Sequence, residues 1–346
     1  MIKNCTILII THNRQFLLKR SIKYYLCYFS KIIVLDSSVN PIYLDKKIKY
    51  EYLPKKSVIE KLLIGIKYCS TKYFLIVPDD DFIVPNGVIR GINFLEKNKD
   101  FVTVSGNFYY FEKYSYLIKY KKIDTYKYKS FDENHFLERL NSSVKGHSQM
   151  LYSIFNKKIF FKNLVKFKIF YKYTEPCELI FHILSLFSGK HKYINSLWMI
   201  RDGQAYYNKL NFIKSVENKN NFFKKIVEDP NDTYSLINKK SFFKTKIYKT
   251  LLNAFFKLNK KKLNYTKKNQ LDCIFKNYFI SIRGSLKLYP KNYFFFKYMI
   301  LKLFKFLFKF FYYFLLNFNR KIIFNNCDKK YIASLEKIIF PRKKIF

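Results

Sequence analysis

Several residue types are scarce in this chain of 346 residues. It contains 3 Ala, 8 Gly, 8 Pro and 8 Arg, against 58 Lys, 39 Phe and 31 Tyr. The abundant types have A/T-rich codons and the scarce ones G/C-rich codons, so nucleotide bias can account for much of the composition. Arg is the residue that pairs bidentately with phosphate and guanine. Its scarcity argues against a nucleic-acid partner, even though the formal net charge is +42.

Other signals are missing as well. The six cysteines are scattered singly, without zinc spacing, which is typical of reduced thiols in the cytoplasm. The first residues have no secretory pattern, and no apolar run reaches the roughly 18 residues that a spanning helix needs. Neither GxxxxGK[ST] nor GxGxxG occurs, so the P-loop and dinucleotide-binding classes lack their fingerprints.

The acidic residues divide the chain into two regions. Only three of the 24 Asp and Glu residues follow Asp232, whereas residues 239–346 contain 27 Lys and Arg, a net charge of +24. We therefore expect a first domain over residues 1–235. We also expect a basic, aromatic-rich helical region over residues 236–346.

Apolar, strand-like segments alternate with helical patterns in the first domain. Strands are predicted at residues 5–10, 31–35, 49–53, 73–77 and 101–105. Helices are predicted at residues 15–29, from a capping box of Ser57 and Glu60 to about residue 69, and from Pro85 to about residue 97. Because a parallel crossover needs a helix, this order predicts an α/β fold with a mostly parallel sheet flanked by helices.

Polar residues follow three of these strands, at residues 11–14, 36–38 and 79–81. Ligands of such sheets bind beyond the carboxyl ends of the strands. The third loop holds Asp79, Asp80 and Asp81, which repel one another unless a cation is near. Mg²⁺ or Mn²⁺, held by one or two carboxylates and by phosphate oxygens, would offset that repulsion. The alternative is a solvated acidic turn before the helix at Pro85.

The segments ILIITHNR, IIVLDSS and FLIVPDDDFIVP, in this order, resemble the signatures of family 2 glycosyltransferases with a GT-A, Rossmann-like fold. They are most similar to a bacterial branch with a DDD triplet that makes cell-surface polysaccharide. The resemblance implies a nucleotide-sugar donor, with a UDP-sugar favoured, and a glycan or lipid-linked acceptor. It assigns donor contacts to Thr11, Asn13, Arg14, Asp36, Asp79 and Asp80, and the metal to Asp79 and Asp81, with Asp81 the direct ligand.

A second stretch, TEPCEL followed by an apolar helix and WMIRD, resembles the acidic motif and final strand of the family. In inverting members an acid in this motif is the general base. Glu175 fits that role best and Glu178 is the reserve, although either charge could instead stabilise a helix N-terminus. Arg201 could bind the donor diphosphate or pair with Asp202 at a surface. His147 could contact the acceptor, or could be an ordinary surface or core histidine.

The segment at residues 293–318 combines ten Phe residues with lysines on one helical face, at Lys302, Lys305 and Lys309. It fits two interpretations equally, a helix lying in an anionic membrane interface and a packed helix with a wet side. The first would place a cytoplasmic enzyme at the inner face of the plasma membrane.

Taken together, these patterns predict a metal-dependent, inverting glycosyltransferase. A nucleotidyltransferase would share the α/β core and the acidic site, but it would normally carry a Gly-rich loop after the first strand. The non-enzymatic alternative is a basic protein that binds membrane or nucleic acid on a transferase scaffold.

Overall fold

The computed structural model describes residues 1–114, 117–123, 128–143, 150–165, 177–203 and 324–339, with separate positions between 249 and 276. The strands are β1 (Ile2–Thr11), β2 (Phe29–Asp36), β3 (Lys49–Tyr52), β4 (Tyr73–Pro78), β5 (Phe82–Ile83), β6 (Phe101–Tyr114), β7 (Leu117–Lys122), β8 (Ile154–Asn156) and β9 (Lys190–Asp202). The helices are α1 (Gln15–Tyr25), α2 (Val58–Tyr68), α3 (Pro85–Lys97), α4 (Phe136–Ser143), α5 (Lys157–Leu164), α6 (Cys177–Ser188) and α7 (Asn326–Ile339).

One sheet of nine strands forms the centre of this described part, in the order β3-β2-β1-β4-β8-β6-β9-β5, with β7 paired to β6. The half formed by β3, β2, β1 and β4 is parallel throughout, as the alternating pattern predicts. Strand β4 is buried along almost its whole length, which explains its continuous apolar run. The α/β fold class is thus confirmed.

The other half of the sheet is mixed. Strand β8 runs antiparallel to both β4 and β6, while β6 and β9 are parallel and β5 and β7 are antiparallel additions. The apolar run at residues 150–154 could be read as a strand from its residue types, but it forms a 3₁₀ turn at Met150–Tyr152 before β8. A short apolar run carries no periodicity long enough to distinguish these two conformations.

Helix α2 begins with the predicted capping box, in which Ser57 and Glu60 each bond the backbone of the other. Helix α3 has the predicted bounds and packs closely on β9. A Cβ atom on Gly87 would lie 2.6 Å from the carbonyl oxygen of Leu197, so the glycine allows the helix to approach the strand backbone. The neighbouring Trp198 is fully buried and donates to the carbonyl of Tyr152 at 2.8 Å.

Helix α7 lies within the basic region yet packs on the first domain. Tyr331 is in edge contact with Tyr28, at 5.2 Å between ring centroids, and Asn86 of α3 donates to Asp328 at 3.1 Å. The predicted interfacial segment at residues 293–318 lies outside the described residues. Among the residues that the structure describes, no helix is long and apolar enough to cross a membrane.

A buried histidine connects β6 and β9. His191 is 1% exposed, and its two ring nitrogens lie 2.8 Å from the Thr103 hydroxyl and 3.1 Å from the Ser105 hydroxyl. A neutral imidazole, which has one donor and one acceptor nitrogen, satisfies both contacts because a hydroxyl can serve either role. Burial lowers the pKa of His191 to about 3.

This histidine should destabilise the fold in acid. Its unfolded pKa is about 6.5, so between that value and 3 the unfolded chain binds a proton that the folded chain does not, and stability falls as the pH falls. Between pH 7 and pH 5, the unfolding free energy of the unmodified protein should fall by about 2 kcal/mol more than that of His191→Gln. Urea denaturation at the two pH values measures this difference. The exposed His135→Gln is the control, and equal pH slopes for the protein and both variants would contradict the assignment.

Candidate functional site

The polar loops after β1, β2 and β4 meet at one edge of the sheet. The parallel register places Thr11 beside Asp36 and Ile10 beside Pro78. The Thr11 hydroxyl donates to Oδ2 of Asp79 at 2.7 Å, which joins the first loop to the third. The predicted convergence of these loops is therefore present in the fold.

Asn13 joins the first loop to the second. Its backbone adopts φ = 54°, a left-handed conformation that Asn tolerates better than most residues. Its N–H donates to the Ser38 hydroxyl at 2.7 Å, and its side-chain oxygen accepts from the N–H of Val39 at 2.9 Å. These contacts leave the first and second loops little freedom to separate.

Asp36 is completely buried beneath the second loop. Its Oδ1 accepts from the N–H of Ser38 at 2.7 Å, and its Oδ2 accepts from the Tyr50 hydroxyl at 2.8 Å. The carboxylate thus shapes the loop. Its assigned contact with a donor remains a prediction.

Lys61 of α2 is a site residue that the sequence analysis missed. It is 2% exposed, and its Nζ donates to the carbonyl of Thr11 at 3.0 Å and to the hydroxyl of Ser37 at 2.9 Å. Burial lowers the pKa of Lys61 to about 8, against the opposing effect of nearby Asp36 and Asp79. The sequence did offer a signal for this residue. Lys61 lies among the apolar positions of α2 that are buried, such as Ile59 and Leu62, where a lysine is unexpected.

Arg14 holds the first two acids of the triplet. Its Nη1 lies 3.0 Å from Oδ1 of Asp79, and its Nη2 bonds Oδ2 of Asp80. Asp79 is buried, and burial raises its pKa to about 6 although Arg14 opposes the shift. The arginine side chain is 33% exposed, so it forms the outer side of this contact.

The third acid is held by β9. Oδ2 of Asp81 accepts from Nε of Arg201 at 2.9 Å, and Oδ1 accepts from the N–H of Asp202 at 3.1 Å. Burial raises the pKa of Asp81, and Arg201 opposes that rise. The carboxylate of Asp202 pairs with Arg20 at 2.7 Å. Arg201 therefore contributes its Nε to the triplet, through Asp81, while its neighbour in sequence pairs with another arginine.

Two side chains of α1 support the backbone of the triplet and were also missed from sequence. Nη2 of Arg20 donates to the carbonyl of Asp80 at 3.1 Å. The hydroxyl of Tyr25 donates to the carbonyl of Asp81 at 3.0 Å and accepts from the N–H of Ile83 at 3.0 Å. Both lie on an ordinary amphipathic helix, where nothing in the local pattern marks them.

Carboxylate oxygens are the ligands that Mg²⁺ and Mn²⁺ prefer. Both carboxylate oxygens of Asp79 and both of Asp81 contact protein groups. Asp80 is 17% exposed, and within the described residues one of its oxygens contacts a partner, Arg14. No group of three or more His, Cys, Asp or Glu side chains in the described ranges could form a metal cage. A cation at the triplet stays a prediction, in which one or two carboxylates would hold it together with substrate and water oxygens.

Three predicted residues cannot be placed in this geometry. Glu175 and His147 lie outside the described residues. Glu178 is in the first turn of α6, but its side chain is not among those described. The choice of general base therefore stays a prediction.

No protein-family model and no curated protein matches the chain. Among solved structures, the chain is similar to S. aureus TarS, with 10% sequence identity and a TM-score of 0.44. The similarity covers 57% of this chain and 36% of the TarS chain. A likeness at this level does not define an activity.

The support from α1 gives a testable difference between two adjacent tyrosines. Tyr25→Phe removes the partner of both the Asp81 carbonyl and the Ile83 N–H, and each unpaired buried group costs about 1–3 kcal/mol. Tyr24→Phe is the matched control, because within the described residues the Tyr24 hydroxyl makes a single bond, to the Ile83 carbonyl at 3.1 Å. Urea denaturation should show the larger loss of unfolding free energy for Tyr25→Phe, and an equal loss in both variants would contradict this role.

Proposed function

We propose that the chain is a glycosyltransferase that transfers a sugar from a nucleotide-sugar donor to a glycan or lipid-linked acceptor. One observation carries the proposal: three strand-end loops and β9 bring Thr11, the acidic triplet and Arg201 into one hydrogen-bonded cluster. That edge of a parallel sheet is where such folds bind nucleotides. The donor class favoured by the motifs is a UDP-sugar.

The charges support a site for a diphosphate. Arg14 and Arg201 are 33% and 31% exposed, whereas the carboxylates of Asp79 and Asp81 are buried beneath them. An approaching anion would therefore meet two guanidinium groups before it met Asp79 or Asp81, although Asp80 is itself 17% exposed beside Arg14. Planar guanidinium groups bind phosphate oxygens bidentately, so this pair suits the leaving diphosphate.

The proposal includes Mn²⁺ or Mg²⁺ at the triplet. Asp80 supports it best, because its carboxylate is the most exposed of the three. Asp79 and Asp81 are the ligands assigned from sequence. Both oxygens of Asp81 already accept protein hydrogen bonds, whereas Oδ1 of Asp79 accepts none from the described residues and lies 3.0 Å from Nη1 of Arg14 as an ion pair. A bound cation would supply positive charge to the leaving diphosphate.

The acceptor half of the reaction rests on the second acidic segment, TEPCEL at residues 174–179. A carboxylate there would take the proton from the acceptor hydroxyl while the hydroxyl oxygen attacks the anomeric carbon. The bond from that carbon to the nucleoside diphosphate breaks in the same step, so the configuration is inverted and the diphosphate leaves. Glu175 and Glu178 remain the two candidates. In the proposed setting the enzyme is cytoplasmic, with residues 236–346 at the inner face of the plasma membrane.

A donor should stabilise the folded chain. At a ligand concentration about 100 times its Kd, the stabilisation is about 2.7 kcal/mol, which a thermal-shift screen of sugar nucleotides will detect. We expect a rise in Tm with a UDP-sugar that grows when Mn²⁺ is added. A rise with nucleoside triphosphates alone would indicate a nucleotidyltransferase instead.

Substitution at the triplet tests the chemistry. Asp80→Asn removes the most exposed carboxylate charge, so Mn²⁺-dependent hydrolysis of the sugar nucleotide should fall by about 100-fold. Asp100→Asn, which removes a surface carboxylate paired with Lys190, should retain full activity. Steeply salt-dependent DNA binding that survives Asp80→Asn, together with no hydrolysis, would contradict the enzyme proposal and favour a nucleic-acid-binding protein.

A further inference from the structure

Lys61 occupies an unusual position for a lysine. It lies on the buried face of α2, beneath the loops that follow β1 and β2, and only 2% of its surface is exposed. A buried ammonium group is costly unless its protons are bonded and its charge is balanced. Both conditions hold here, so the position has a specific local cause.

The protons of Nζ join the two loops. One bond reaches the carbonyl of Thr11, the last residue of β1, and another reaches the hydroxyl of Ser37, which follows β2. Direct contacts also join the loops: the N–H and hydroxyl of Ser37 lie 3.3 and 3.4 Å from the carbonyl of Thr11, and the N–H of Asn13 donates to the hydroxyl of Ser38 at 2.7 Å. The ammonium group is the charged link between the loops, and its two bonds are shorter than the direct contacts of Ser37 with Thr11.

The charge of Lys61 is balanced by two buried acids. Asp36 lies under the second loop and Asp79 begins the triplet, and both act electrostatically on the lysine. Loss of the lysine charge would leave these two carboxylates with less compensation at the base of the site. The residue therefore sets both the spacing of the loops and the charge beneath them.

We infer that Lys61 is a positioning residue that holds together the two strand-end loops of the donor site, those after β1 and β2. This inference rests on the proposed function. Lys61 acts through Thr11 and Ser37, and Thr11 in turn donates to Asp79 of the acidic triplet. Loss of Lys61 should therefore weaken the binding of both a nucleoside monophosphate and a nucleoside diphosphate.

Three variants isolate this role. Lys61→Met removes the bonds and the charge, whereas Lys61→Gln removes the charge but keeps a hydrogen-bond donor on a shorter side chain. Lys67→Met is the control, because Lys67 lies on the exposed side of the same helix. The Gln variant also keeps the test open if Lys61→Met fails to fold.

Hydrogen exchange measures the loops without any ligand. In Lys61→Met and Lys61→Gln, the amides of residues 11–14 and 36–39 should exchange faster than in the unmodified protein, while Lys67→Met should leave them unchanged. Unchanged exchange in both Lys61 variants would overturn the inference. This result does not depend on the identity of the donor.

Calorimetric titration with UMP and with UDP measures the consequence. Lys61→Met should weaken the binding of both nucleotides by about tenfold or more, because it removes hydrogen bonds from a charged group. Lys61→Gln should weaken binding by less, because the glutamine can still donate a neutral hydrogen bond. Binding as tight as in the unmodified protein would overturn the inference, as would a loss confined to UDP. If the unmodified protein binds neither nucleotide, the proposed function fails, and the exchange measurement alone decides whether Lys61 holds the loops.

Discussion

The rest of the site depends on how three adjacent carboxylates are compensated at the end of a buried strand. Burial raises the pKa of Asp79 and Asp81, so their ionised forms are stable only beside positive charge. Arg14 supplies that charge from the beginning of α1, and Arg201 supplies it from β9. The triplet therefore binds together parts of the chain that lie almost two hundred residues apart.

Other contacts hold the neighbouring loops together. The loops after β1 and β2 are joined through Asn13 and Lys61, so a ligand of the proposed site would cost little conformational freedom on binding. The guanidinium groups of Arg14 and Arg201 remain partly exposed, while Asp79 and Asp81 are buried and Asp80 is 17% exposed. In the proposed function these two groups would meet the diphosphate of the donor.

Local patterns were sufficient for much of the first half of the fold. The strand at β4, the capping box of Ser57 and Glu60, and both ends of α3 follow from residue types within a few positions of each element. The meeting of the acidic triplet with the loops after β1 and β2 was also predictable, because the carboxyl ends of neighbouring parallel strands lie at the same edge of the sheet. The sequence pattern could not show that β8 is antiparallel, since strand direction depends on pairing with distant residues.

The sequence by itself determined where polar loops interrupt buried strands and which loop concentrates negative charge. The tertiary structure alone decided which cations meet that charge. Arg201 is next to Asp202 in the chain but pairs with Asp81, and Lys61 lies on a helix yet bonds the ends of two strands. The physical reason is that hydrogen bonds and ion pairs act over a few ångströms in space, and the sheet register, not the spacing along the chain, determines which groups come that close.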